Sequence, residues 1–279
     1  MSLTVRRTIA RPVDLSGIGL HTGATVHLTI VPAQVNAGIV FVRTDLPSSP
    51  RISTTATVHN TDRHTTLGTD EATVETVEHL LASAYALGID DLAIHIDGPE
   101  LPIFDGSADP YYQALAQVGT LSQAGPKPGR RLTEPFTVQF NGATYVARPG
   151  RGATVLEVQI EFDHPAIGRQ HFHYDGRADT FATDLAGART FGFTSELSSL
   201  RSRGLIRGAT AGSAILLDER GIAHGGPLRW PDEFVRHKTV DLIGDLALLG
   251  ASFEGEINAI NPGHGANARL VTELRTRCT

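Results

Sequence analysis

Asp232-Glu233-Phe234-Val235-Arg236-His237-Lys238-Thr239-Val240-Asp241-Leu242-Ile243-Gly244-Asp245 sets one imidazole and two carboxylates four residues apart within an apolar helical pattern. In a helix His237, Asp241 and Asp245 stack on one face. Phe234, Val240, Leu242, Ile243, Leu246 and Leu249 take up most of the remaining circumference, so the polar stripe is not the outer surface of an amphipathic helix. It is expected to point into a site. A His and an Asp at i and i+4 can both reach one divalent ion, although an isolated match is as often a helix whose charges pair with neighbours.

A second helix is expected over Thr73 to Leu87. Val74, Val77, Leu80, Leu81 and Ala84 trace its buried face, and Gly88 ends it as a left-handed residue. Glu78 and His79 sit side by side on it. Glu75 and Ser83 stand where H-E-x-x-H or H-x-x-E-H would need another histidine, so further ligands must come from elsewhere. Combining the helices gives His79, His237 and Asp241 as three ligands with a fourth position open, the arrangement of a catalytic zinc. Glu78 is then free to take a proton from water, and hydrolysis of an amide or ester follows. Alone, Glu78 would read as an exposed helix glutamate. Gly263-His264-Gly265 places a histidine where a tight turn can bring it to a substrate as proton donor and oxyanion partner; by itself it reads as a loop histidine.

Outward from these stretches, strands are expected at 24–31, 39–42, 92–96, 136–140, 154–162, 215–218 and 256–260. The Gly/Pro-rich run Ser122 to Arg130 marks a boundary, giving domains 1–124 and 131–279 with a linker at 125–130. The expected class is α+β: two similar domains, each a mostly antiparallel sheet packed with helices, with the helices and the metal at the interface. Gly17-Ile18-Gly19 lacks the third glycine and following helix of a dinucleotide loop and reads as a tight turn. His171 and His173 share one face of an exposed strand. Asp105 reads as a turn residue capping a helix that begins near Asp109.

The 279 residues are 41% hydrophobic with a formal net charge of −6, which argues against nonspecific attraction to nucleic acid or anionic membrane. No apolar run nears the roughly 20 residues of a membrane span, and residues 1–7 lack the apolar core of a signal peptide. A soluble, cytoplasmic monomer without stable membrane insertion is expected. The lone cysteine, Cys278, excludes an internal disulfide. Arg130, Arg131, Arg201, Arg203 and Arg207 each read as a solvated surface arginine and are the local cations available to an anionic ligand.

Seven motifs occur in the order found in bacterial UDP-3-O-acyl-N-acetylglucosamine deacetylases. They are Gly17 to Gly23, Thr76 to Leu80, Pro102 to Ala108, Asp163 to Ile167, Ala188 to Phe193, Asp232 to Asp245 and Gly263-His264, and together they run over nearly the whole chain. The chain resembles that family. The resemblance implies zinc-dependent removal of the acetyl group from UDP-3-O-(3-hydroxyacyl)-N-acetylglucosamine, a small nucleotide-sugar acyl substrate, in the committed step of lipid A synthesis. It implies His79, His237 and Asp241 as ligands and Glu78 as base. It implies His264 as acid and oxyanion partner, oriented by Asp245, with Thr190 as a hydroxyl donor. Phe191 would contact the sugar, Lys238 would bring a cation near the substrate, and His21 would lie near the metal. Without it, Thr190 and Phe191 would read as a strand or turn with one residue buried, and Lys238 as a solvated lysine. The chain departs from the family at Gly208 to Ala214, where acidic and amide groups are missing, and at His64, where a smaller residue is common.

Overall fold

Residues 5–279 are described in the computed structural model, so the start of the stretch that lacks a signal-peptide core lies outside the described residues. The first half runs β1 (Val13–Ile18), β2 (Thr25–Pro32), β3 (Ile39–Arg43), β4 (Arg51–Ser53), α1 (Glu78–Ala86), β5 (Leu92–Ile96) and α2 (Asp109–Val118). The second runs β6 (Phe136–Phe140), β7 (Ala143–Pro149), β8 (Thr154–Phe162), β9 (Gly168–Tyr174), α3 (Glu233–Leu246), β10 (Ser252–Ile260) and α4 (His264–Arg277).

The sheets are ordered β1-β2-β5-β3-β4 and β6-β7-β10-β8-β9. All neighbours are antiparallel except β3–β5 and β8–β10, which are parallel. A parallel pair needs a crossover, and that requirement puts α1 and α3 at equivalent places, each ahead of its central strand. Alternation along β5 and β8 turns one face inward, and these faces join α1 and α3 in one apolar core. The expected mixed α+β architecture is the observed one.

α1 packs on α3. The contact is backbone-close at Gly244, where an added Cβ would fall 2.2 Å from the carbonyl oxygen of Glu78. Glycine is required there by space, not by conformation.

Several expectations shift. The helix expected from Thr73 begins at Glu78, because Ala72–Val74 is a strand of a small three-stranded sheet and Thr76 sits at φ +57°, outside the right-handed helical region. Gly88, at φ +67°, follows its end as expected. His264 does not occupy a glycine turn: Gly263 is extended and His264 opens α4, a helix the sequence reading lacked. Strands β4 and β7 were unforeseen, and Ile215–Asp218 belongs to a separate three-stranded sheet with Phe191–Phe193 and Gly221–His224. The Gly/Pro-rich stretch is largely strand: Thr120–Pro126 pairs with Val5–Ile9, and Gly129–Arg131 pairs with β10. Asp105 does not cap α2. It accepts bonds from the Ser107 N–H and hydroxyl and pairs with Arg229 at 2.8 Å.

Candidate active site

The first two residues of α1 and the middle of α3 meet in the buried interior. Thr76 donates its hydroxyl to the buried Glu100 carboxylate (2.9 Å), fixing the turn that starts α1 and delivers Glu78 and His79 side by side. His79 Nε2 lies 3.8 Å from Asp241 Oδ1, and His237 Nε2 lies 3.4 Å from the same oxygen. The three ligand atoms fall within 4.8 Å of one another, the only such group among the described residues. A tetrahedral ion with bonds of about 2.0–2.2 Å holds its ligands roughly 3.3–3.5 Å apart, so this spacing is near that of a coordination shell.

The donor set is in the protonation state a cation needs. Burial, with His237 beside it, pushes His79 down to about 3, and burial also lowers His237. The His237 Nδ1–H donates to the Ala188 carbonyl at 3.0 Å, which leaves the Nε2 lone pair free. Burial opposes ionisation of Asp241, but His237, Lys238 and His264 outweigh it and hold the carboxylate well below its usual range. These residues can therefore hold a metal.

A second group faces the first. His264 donates Nδ1–H to Asp245 Oδ2 (2.9 Å), while its Nε2 points back, 3.9 Å from Glu78 Oε1 and 3.8 Å from Asp241 Oδ2. Burial alone would lower His264, yet Asp245 and Asp241 prevail and raise it to about 9. Burial, joined by Asp245 and Asp241, pushes Glu78 up to about 7 against the pull of His264. The cavity thus holds a carboxyl group able to accept a proton near neutrality and an imidazolium able to give one.

The cavity, of about 270 Å³, is lined by residues of both halves, among them His21, Thr190, Phe191 and Lys238. Lys238 is not solvent-directed, since its Nζ donates to Asp241 Oδ2 (3.0 Å) and lies 5.8 Å from the Phe191 ring centroid. Gly17 and Ile18 end β1 and do not form the expected turn, which falls instead at Leu20–Thr22 and carries His21, stacked on His64 with ring centroids 4.3 Å apart. Burial, with His64 adjacent, lowers His21 to about 3. All ten residues singled out as site candidates gather at this cavity; Asp245 alone stands behind its lining, holding His264.

Other candidates separate. Arg130 and Arg131 lie on the strand beside β10, away from the cavity lining. Arg203 pairs with Asp62, and the Arg207 N–H donates to the His21 carbonyl. His171 and His173 are exposed on β9 and both bond Glu157, as an exposed strand predicts.

Sequence reasoning missed Thr65, Asn267 and Tyr145. Thr65 gives its N–H to Glu78 Oε2 (3.1 Å) and its hydroxyl to Asp245 Oδ1 (2.6 Å). Asn267 gives its amide to Asp245 Oδ2 (2.8 Å) and accepts from the Tyr145 hydroxyl (2.5 Å). Asn267 is three residues after His264, a spacing that would have placed them together had α4 been recognised. Nothing local marks Thr65.

Residues 6–276 match the family model described as LpxC: UDP-3-O-acyl N-acetylglycosamine deacetylase. The chain belongs to this family. Proteins named UDP-3-O-acyl-N-acetylglucosamine deacetylase from Brucella melitensis, Brucella ovis and Brucella canis are each 40% identical over 271 residues, covering 96% of this chain and 94% of their own. The family match thus takes in both halves and every residue of the cavity. No helix among the described residues is long and apolar enough to cross a membrane.

Proposed function

We propose that the protein is a zinc-dependent hydrolase that removes the N-acetyl group from UDP-3-O-(3-hydroxyacyl)-N-acetylglucosamine, giving acetate and the free amine, the committed step of lipid A biosynthesis. One observation carries the reading: two neutral imidazoles and a carboxylate converge beside Glu78 and His264, in a chain whose relatives are named as deacetylases of that substrate class. His79, His237 and Asp241 would hold the ion, which when bound lowers the pKa of a water and polarises a carbonyl oxygen. The donor set suits zinc and would also take iron or cobalt.

Glu78 accepts the proton of the attacking water. His264, held through Nδ1 by Asp245, keeps its protonated Nε2 toward the cavity, where it meets the developing oxyanion and then protonates the leaving nitrogen. Thr190 adds a hydroxyl donor to the oxyanion. Phe191 contacts the sugar, Lys238 brings its positive charge to the substrate, and His21 forms part of the same wall. Chemistry requires Glu78 ionised and His264 protonated, a pair of conditions met between about 7 and about 9.

The two halves are proposed as domains 1–124 and 131–279 joined at 125–130, in a cytoplasmic monomer that binds no nucleic acid. Mass spectrometry of the UDP-sugar substrate after incubation with zinc-loaded and with chelated protein tests the function. Metal-dependent loss of acetyl is expected. Intact substrate with zinc bound would point to another amide or to a noncatalytic relative.

A further inference from the structure

Glu233 is the first residue of α3 and fully buried, and it lies one turn before His237 on the same helix face. Its carboxylate grips Arg189 three times: Oε1 accepts from the Arg189 backbone N–H (3.1 Å) and Nε (2.8 Å), and Oε2 accepts from Nη2 (3.1 Å). The Arg229 N–H completes it at 2.6 Å. The guanidinium also donates from Nη1 to the Gly225 carbonyl (2.5 Å) and from Nη2 to the Pro227 carbonyl (2.9 Å).

The neighbours of Arg189 are what this clamp fixes. On one side, the Ala188 carbonyl accepts the Nδ1–H of His237. On the other, Thr190 lines the cavity, its N–H bonded to the Gly106 carbonyl and its carbonyl to the Ile215 N–H, both at 2.8 Å. We infer that Arg189 and Glu233 are positioning residues for the metal centre, locking Ala188–Thr190 in register with α3 so that His237 and Thr190 face one cavity. The inference rests on the reading of His237 as a metal ligand.

A buried ion pair is a weak stabiliser beside well-packed apolar residues, and its best-attested use is to fix register. The molecule contains its own control. Arg6 and Asp91 form an equally buried two-pronged pair (2.7 and 2.5 Å), but neither residue lines the cavity.

The test measures zinc affinity by chelator competition, thermal midpoint, and kcat and KM in full-length Arg189→Lys, Glu233→Gln and Arg6→Lys. Arg189→Lys keeps the charge and loses the fork; Glu233→Gln keeps an oxygen acceptor for the Arg189 N–H and serves if the first variant does not fold. Both are expected to weaken zinc binding about 10–100-fold and to lower kcat with KM nearly unchanged. Arg6→Lys is expected to lower the thermal midpoint alone. Arg189→Lys and Glu233→Gln proteins that melt earlier yet bind zinc as tightly as wild type would overturn the inference. If wild type binds zinc but leaves the UDP-sugar intact, the functional reading fails while the affinity comparison still decides this one. Wild type that binds no divalent ion overturns both.

Discussion

The two halves share strand order, strand direction and the placement of both helices, yet use them unequally. α1 offers only its first turn, with Glu78 and His79, whereas α3 offers His237, Asp241 and Asp245 on successive turns down to its last. The helix after the central strand is reached through residues 97–108 in the first half and through 261–263 in the second, where it opens directly on His264. Between the fourth strand and the first helix each half inserts a small three-stranded sheet. The first insertion brings Thr65 to Glu78 and Asp245; the second brings Thr190 and Phe191 to the cavity. What is alike in the halves builds the frame and carries Glu78, His79, His237 and Asp241; what differs sets Thr65, Thr190, Phe191 and His264 around them.

That contrast can be broken from either side. Removing the metal with a chelator is expected to abolish turnover, and zinc to restore it. His79→Ala and His237→Ala, one from each half, should each lose both zinc and activity. Activity that survives either change, measured with metal content, would mean that one half suffices. Glu78→Ala comes next, with turnover down about 10²–10⁴-fold and zinc retained. Zinc lost along with activity would make Glu78 a ligand.

His264→Ala sharpens the division of labour through pH. A base must be ionised, so activity in wild type rises as pH passes the Glu78 value near 7; an acid must be protonated, so activity falls as pH passes the His264 value near 9. The variant is expected to lose the alkaline limb and keep the acid one, and an unchanged profile would remove His264 from the role. The smallest effect is expected from Gly244→Ala, whose methyl group meets the Glu78 carbonyl. It should cost about 1–3 kcal/mol of stability and reduce activity partially, as read by denaturant unfolding and kcat. A neutral result would show that the two helices have slack between them.

Much of this was legible in the chain because the information was local. The i, i+4 stripe of α3, the alternation in β5 and β8 and the adjacency of Glu78 and His79 are short-range patterns that packing then respects. The errors have physical causes too. Thr73 and Val74 look like helix because the apolar spacing continues through them, but the left-handed backbone at Thr76 separates them from α1. α4 was hidden by its glycines and its polar surface, which made His264 read as a turn residue. Thr65 and the Ala188 carbonyl act across long sequence separations, and a backbone carbonyl carries no signature in sequence at all.

The split origin of the ligand set has a thermodynamic corollary. His79 belongs to one half and His237 and Asp241 to the other, so an ion held by all three binds the assembled protein and not its separated parts. Folding and binding are then linked by mass action: free ion at a hundred times its dissociation constant adds about 2.7 kcal/mol to the stability of the joined state. The melting temperature thereby becomes a titration curve for the ion, and the seam between α1 and α3 is where it is read.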